Sequence, residues 1–286
     1  MSVAVPQPIP YQGSKRRLAA RLLAYFPGEV DRLVEPFAGS GAVSLAAAQA
    51  GSIQRFTLGD SLEPLVGIWR GILDQPEVLC DAYEQLWAAQ HDDPRAHYNG
   101  VRVRFNREHE PAALLYLLAR CVKGAVRFNR AGDFNQSADH RRRGVRPDTL
   151  RRRIRAAHAL LAGRTVLHAG DYADLLAQAT PRDLVYMDPP YMGVSGGRDQ
   201  RYHQGLDLDR FVAELELANT RGLRFLASFD GRLGDRRYGP ELPAHLGLTR
   251  IELSAGRSSQ ATLAGRSEHT VESLYIAPSL RATGQR

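Results

Sequence analysis

Residues Asp188-Pro189-Pro190-Tyr191 join a carboxylate, two prolines and an aromatic ring in four positions. Such a set can act on a flat amine. The exocyclic amine of a nucleobase is a poor nucleophile, because its lone pair is delocalised into the ring. Acceptors that take up its N–H groups push electron density back onto nitrogen. Asp188 offers a carboxylate acceptor. Pro189 has no N–H of its own and biases Asp188 towards an extended backbone. The Pro189 carbonyl is the natural second acceptor. Tyr191 offers a face on which a base taken out of its helix can stack. Taken alone, the four residues also fit a rigid loop, since Pro-Pro is common loop punctuation.

A second set lies at residues 33–41, Leu-Val-Glu-Pro-Phe-Ala-Gly-Ser-Gly. Strand, tight Gly-x-Gly turn and helix form the opening of a Rossmann-like unit. Gly39 and Gly41 let the backbone bend and approach a ligand, with Glu35 and Phe37 beside them. Ser44 stands where a dinucleotide fingerprint would have its third glycine. A cofactor without a pyrophosphate, such as S-adenosyl-L-methionine (AdoMet), does not need that glycine. Asp60 follows at about the spacing, ~20 residues, where an acid accepts from ribose hydroxyls. Gly170-Asp171-Tyr172 can hold a cofactor adenine at a strand edge. It fits equally well as a helix cap, with Asp171 starting the next helix.

Two further segments gain weight beside these. Tyr11-Gln12-Gly13-Ser14-Lys15 is a polar arm near the N-terminus. In residues 121–135, Lys123, Arg127, Asn129 and Arg130 are interleaved with Phe128 and Phe134 around a turn. That composition suits contact with phosphates and base edges. The runs 141–143 and 151–155 are arginine-rich and read as solvated faces, with nonspecific phosphate contact at most.

The elements that must position these residues alternate. The run 184–187 reads as a buried strand ahead of Asp188. Strand signals also appear at 33–34, 56–58, 165–168, 224–227, 248–253 and 271–276. Helical spacing appears at 18–26, 42–50, 150–162 and 208–221. Between 63 and about 150 the strand signals disappear, and helical pieces appear at 77–90 and 112–122. The predicted class is α/β, a Rossmann-like sheet over residues 1–62 and 150–286. A helical insertion, 63–149, carries the basic hairpin.

Composition bounds the rest. The chain has 286 residues, 43% hydrophobic and 24% charged, enough for a globular core. Net charge is +7, and Lys15 and Lys123 are the only lysines. An arginine excess suits a polyanionic partner. Two cysteines make no disulfide framework, and nine scattered histidines show no zinc spacing. No apolar run of about 18 residues reads as a membrane span. No Walker-type loop or Gly-x-Ser-x-Gly elbow is present. A soluble, cytoplasmic protein without a metal is expected.

In this order, the motifs resemble the Dam-type DNA adenine methyltransferase family, with gaps from Tyr11 to about Ile276. The resemblance implies methyl transfer from AdoMet to the 6-amino group of adenine in double-stranded DNA, with base flipping. It implies that Tyr11, Lys15 and Asp60 touch AdoMet, that Asp188 meets both cofactor and target amine, and that Arg127 contacts DNA. The helical stretch would be the target-recognition domain, and a cognate restriction endonuclease a possible companion. Lys123 stands where the well-known GATC-modifying members carry Asn. Residues 228–232 and 258–262 also look unlike those members. The chain thus reads as a distinct subgroup, with its recognition site open. Cytosine-amine methylation and a binding module that has lost catalysis are the rival readings. Protein glutamine methylation would prefer Asn at 188.

Overall fold

The computed structural model describes residues 4–129, 131–190, 206–233, 236–257 and 269–281. The chain runs through α1 (Ala19–Leu22), β1 (Leu33–Glu35), α2 (Ala42–Ala50) and β2 (Phe56–Asp60). Then come α3 (Glu63–Asp74), α4 (Pro76–Ala88), α5 (Pro94–Glu108), α6 (Pro111–Arg120) and α7 (Pro147–Leu161). The sheet resumes with β3 (Thr165–Ala169), α8 (Tyr172–Gln178), β4 (Leu184–Met187), α9 (Leu208–Thr220) and β5 (Arg224–Leu233). It closes with β6 (Arg236–Tyr238), β7 (Thr249–Arg257) and β8 (His269–Ile276).

The strands order as β3-β2-β1-β4-β5-β8-β7, with β6 folded back on β5. Pairing is parallel from β3 to β5 and antiparallel at β5–β8 and β8–β7. Every residue of β1 and β4 is buried, as expected of parallel strands covered on both faces. The order reverses between β1 and β4. Such a switch point opens a crevice at the carboxyl ends of the strands. Glu35 ends β1 and Asp188 follows β4, so both lie at that crevice. The chain therefore has the α/β, Rossmann-like architecture that its pattern predicts.

Helices cover both faces. One continuous apolar core joins sheet residues to α2, α3, α6 and α7, through side chains such as Phe56, Ile68, Leu114 and Ile154. A second core packs α8 and α9 on the opposite face, around Val185, Phe211 and Phe225. The helices after residue 62 thus share the sheet's own core, and α3 packs directly on β2 and β3.

Three elements differ from the sequence expectation: the stretch 18–26, α5 and α3. The stretch 18–26 is not one helix: α1 is a single turn between two 3-10 turns, Lys15–Arg17 and Leu23–Tyr25. Short 3-10 turns are common at helix ends, and here they take up both flanks of α1. Helix α5 escapes periodicity because only Tyr98, Val101 and Phe105 are buried. Its start was nonetheless written in the sequence: Asp93 accepts from the backbone N–H of Arg95 and Ala96, with Pro94 next. Helix α3 buries Leu65, Val66, Ile68, Trp69, Ile72 and Leu73, a stripe at helical spacing. The other predicted strands and helices fall within a few residues of their spans, apart from β5 and β7, which run on to Leu233 and Arg257; β6 and the span of α8 were not predicted.

Candidate active site

The Gly-x-Gly turn is held by a ring on either side. Gly39 and Gly41 have φ of 48° and 58°, the left-handed region that glycine adopts without cost. A Cβ on Gly41 would lie 2.5 Å from the Trp69 ring, and one on Gly39 would lie 3.2 Å from Tyr11. The Trp69 indole N–H donates to the Gly39 carbonyl at 3.0 Å. Trp69 was missed in the sequence, where it looks like any apolar position of α3. Tyr11 sits over the turn, and the Ser40 hydroxyl donates to that of Ser14 at 2.8 Å. The arm 11–15 is thereby brought onto the turn.

Three carboxylates face the same space. Glu35 is 3% exposed and accepts from the Ser44 N–H at 2.6 Å. Burial pushes its carboxyl up to about 7, against the pull of Ser44, and nearby Asp188 adds to the rise. Asp60 accepts from Gly39 N–H at 3.1 Å and from Leu62 N–H at 3.0 Å. It thus ties the glycine turn to the start of α3, so its structural role is real. Desolvation lifts it to about 6. With a third backbone bond, from Ser61, its two oxygens keep about one lone pair for a ligand.

Asp188 forms the third corner. Its Oδ1 lies 2.7 Å from the Lys15 ammonium, which also lies 3.2 Å from Glu272 Oε2 on β8. The Lys15 side chain is 4% exposed. Desolvation raises Asp188 most, Lys15 lowers it and Glu272 raises it, leaving it at about 6. Lys15 therefore engages the Asp188 carboxylate directly. Pro189 and Pro190 line the same cavity, whereas Tyr191 lies outside the described residues.

The far wall is aromatic. Phe37 and Tyr172 stack with centroids 5.0 Å apart. Arg210, another residue missed in the sequence, lies over Tyr172 at 5.4 Å and grips Asp171 through two bonds, 2.7 and 2.9 Å. Asp171 also accepts from Ala173 N–H at the start of α8. The helix-cap reading is thus met, while Asp171 and Tyr172 still face the cavity. Glu35, Phe37, Gly39, Asp60, Tyr172 and Asp188 all border one space of about 200 Å³.

The basic segment reaches this space from the side of α6. Val126 lines the cavity, and the Gln12 N–H donates to the Gly124 carbonyl at 2.9 Å. The hairpin expected here is a tight turn closed by one bridge, Phe128 to Phe134. Asn106 on α5 holds it, donating to the Phe134 carbonyl and accepting from the Phe134 N–H. Asn129 spends its side chain on its own turn, accepting from Ala131 and Asp133 N–H. Lys123 is exposed and Arg127 half-buried. Arg130 lies outside the described residues, as do residues 258–262. Arg151 and Arg155, on a face that stays largely solvated, are also ion-paired to α4: Arg151 meets Glu77, Asp81 and Glu84, and Arg155 meets Glu77. The three acids outnumber these two arginines, which leaves little of their charge for phosphate. Among the described residues no group of His, Cys, Asp or Glu is placed to hold a metal ion. None of the helices described is long and apolar enough to cross a membrane.

The profile of the family described as D12 class N6 adenine-specific DNA methyltransferase matches residues 11–228. A DNA N-6-adenine-methyltransferase of Escherichia phage P1 is 27% identical over 77% of this chain, which spans 29% of that protein's length. The retron Ec67 DNA adenine methylase of Escherichia coli is 27% identical over 68% of each chain. A DNA adenine methylase of Vibrio cholerae is 24% identical over 76% of this chain and 79% of its own. A solved precorrin 8W decarboxylase of Methanobacterium thermoautotrophicum aligns over 94% of this chain at 11% identity, with a TM-score of 0.36, too low to bear on function.

Proposed function

The chain belongs to the D12 class N6 adenine-specific DNA methyltransferases, and from that premise we propose that it methylates the 6-amino group of adenine in duplex DNA, using AdoMet. The observation that carries the cofactor is the charge of the cavity. Glu35, Asp60 and Asp188 converge there with Lys15 as their buried cation. Desolvated carboxylates in excess suit a ligand that brings positive charge, as AdoMet does with its sulfonium and amino groups. The paired rings of Phe37 and Tyr172 offer an apolar slot for its adenine, and Asp60 keeps a lone pair for a ribose hydroxyl. Tyr11 would close the cavity over the glycine turn. When bound, AdoMet supplies an electrophilic methyl group.

The residues of the chain do the rest. The target adenine would leave the duplex and enter beside Asp188, with Tyr191 as its stacking face. The Asp188 carboxylate and the Pro189 carbonyl would accept the two amine N–H groups and aim the nitrogen lone pair. Positioning and exclusion of water supply most of the acceleration. As the nitrogen gains positive charge, the ionised Asp188 stabilises it. Lys123 and Arg127, on either side of Gly124 and Val126, would hold phosphates and base edges together with Arg130, with duplex DNA as the partner. Such an enzyme would work in the cytoplasm, where the DNA is.

Purified protein incubated with AdoMet and unmethylated genomic DNA, then digested to nucleosides for mass spectrometry, tests the reading. N6-methylated deoxyadenosine is expected, and none with Asp188→Ala at unchanged circular dichroism. Methylated deoxycytidine, or turnover by the alanine variant, refutes it.

A further inference from the structure

Glu272 belongs to no motif, yet it shares the Lys15 ammonium with Asp188. Its position is a built one. Strand β8 runs antiparallel, so its first half lies at the same edge as the carboxyl ends of β4 and β5. The β5–β8 register shifts between Ser228 and Gly231, which adds one residue to β5. Asp230, inside that bulge, has φ of 51° and is anchored by Arg250 at 3.1 Å. Bulges beside active sites re-aim side chains. Here the bulge resumes pairing at Gly231 opposite Glu272. Gly231 has no room for a side chain, since a Cβ would lie 2.7 Å from the Val271 carbonyl oxygen.

We propose that Glu272 is a positioning residue of the methyl-transfer reaction, holding the Lys15 ammonium so that it orients Asp188 without cancelling the carboxylate's charge. This rests on the function proposed above. An isolated Lys15–Asp188 pair would be neutral and would offer little to a nitrogen that becomes cationic. With Glu272 as a second partner, the three groups together carry one net negative charge. The charged groups facing Asp188 are Lys15 from the arm, Glu272 from β8 and Glu35 from β1. Glu272 lies within ion-pair distance of the lysine, as Asp188 does.

The test compares the full chain with Glu272→Gln, Glu272→Asp and Glu272→Ala. The amide of Gln still accepts from Lys15, so shape is kept and charge is lost. The expected result is a roughly tenfold lower kcat, with KM for DNA and Kd for AdoMet within about twofold. The acid limb of the kcat profile should move to lower pH, because a like charge near Asp188 is gone. Glu272→Asp should restore part of kcat, and Glu272→Ala none. A readout without turnover is also at hand. The chain has two lysines, so selective 13C labelling gives two Cε signals, with Lys123 as internal control. The Lys15 signal should report the Asp188 titration near pH 6 and move to lower pH in Glu272→Gln. Wild-type kcat and an unmoved Lys15 midpoint in Glu272→Gln overturn the proposal. Lowered stability with an unchanged pH profile also overturns it, because Glu272 would then be structural only. If the wild-type chain makes no methyladenine, the functional reading fails, and the lysine signal separately decides whether the three groups are coupled.

Discussion

Replacing Glu35 by Gln should make the ligand-free protein more stable at pH 8 and hardly change it at pH 4.5. Glu35 is buried at the end of β1, and its carboxyl is pushed from the ordinary 4.5 to about 7. A raised carboxyl favours the folded state only while it is protonated. That advantage is complete below the unfolded pKa and is lost as pH rises through the folded one. A tenfold change in proton affinity corresponds to about 1.4 kcal/mol, so ionised Glu35 costs about 3 kcal/mol in the folded protein at pH 8. Relaxation and water entry reduce that figure, and a gain of about 1–3 kcal/mol is expected for the variant. The Ser44 N–H, now 2.6 Å from Oε1, keeps an acceptor in the amide oxygen. Urea unfolding at both pH values, followed by fluorescence of Trp69 and Trp87, measures the difference. Titration calorimetry with AdoMet should show weaker binding by the same variant, since a carboxylate aimed at a cation has gone. An equal change at the two pH values refutes the reasoning, and so does destabilisation at pH 8.

Three other outcomes follow from particular contacts. Trp69→Phe loses the bond to the Gly39 carbonyl, worth about 1 kcal/mol, and also the Cζ2–Cη2 edge of the indole that packs against Gly41; calorimetry should show AdoMet binding at least about fivefold weaker, with DNA affinity unchanged. Arg127→Ala should weaken DNA binding, measured by fluorescence anisotropy, much more than AdoMet binding, and equal losses would count against the turn's proposed role. Arg151→Ala removes the clamp to Glu77, Asp81 and Glu84; its Tm should fall, less so at high salt, while DNA affinity stays at the wild-type value.

The sequence by itself determined the strands on either side of the site, because a buried parallel strand needs an unbroken apolar run, and residues 33–34 and 184–187 carry one. It also determined the glycine turn and the carboxylates Glu35, Asp60 and Asp188, because residue type and distance from a strand end fix where such groups can lie. Helix α5 was written only in its cap, Asp93-Pro94, since a helix with three buried side chains has too faint a stripe to detect. What tertiary structure decided is which groups meet across long separations. Trp69 is an ordinary core position until α3 packs against the turn at Gly39 and Gly41. Arg151 and Arg155 look free for phosphate until α7 lies beside the acids of α4. Lys15 and Glu272 lie near opposite ends of the chain, and no local pattern links them. They meet at Asp188 because β8 inserts between β5 and β7 in reverse direction, and that strand order is set by packing of the whole sheet.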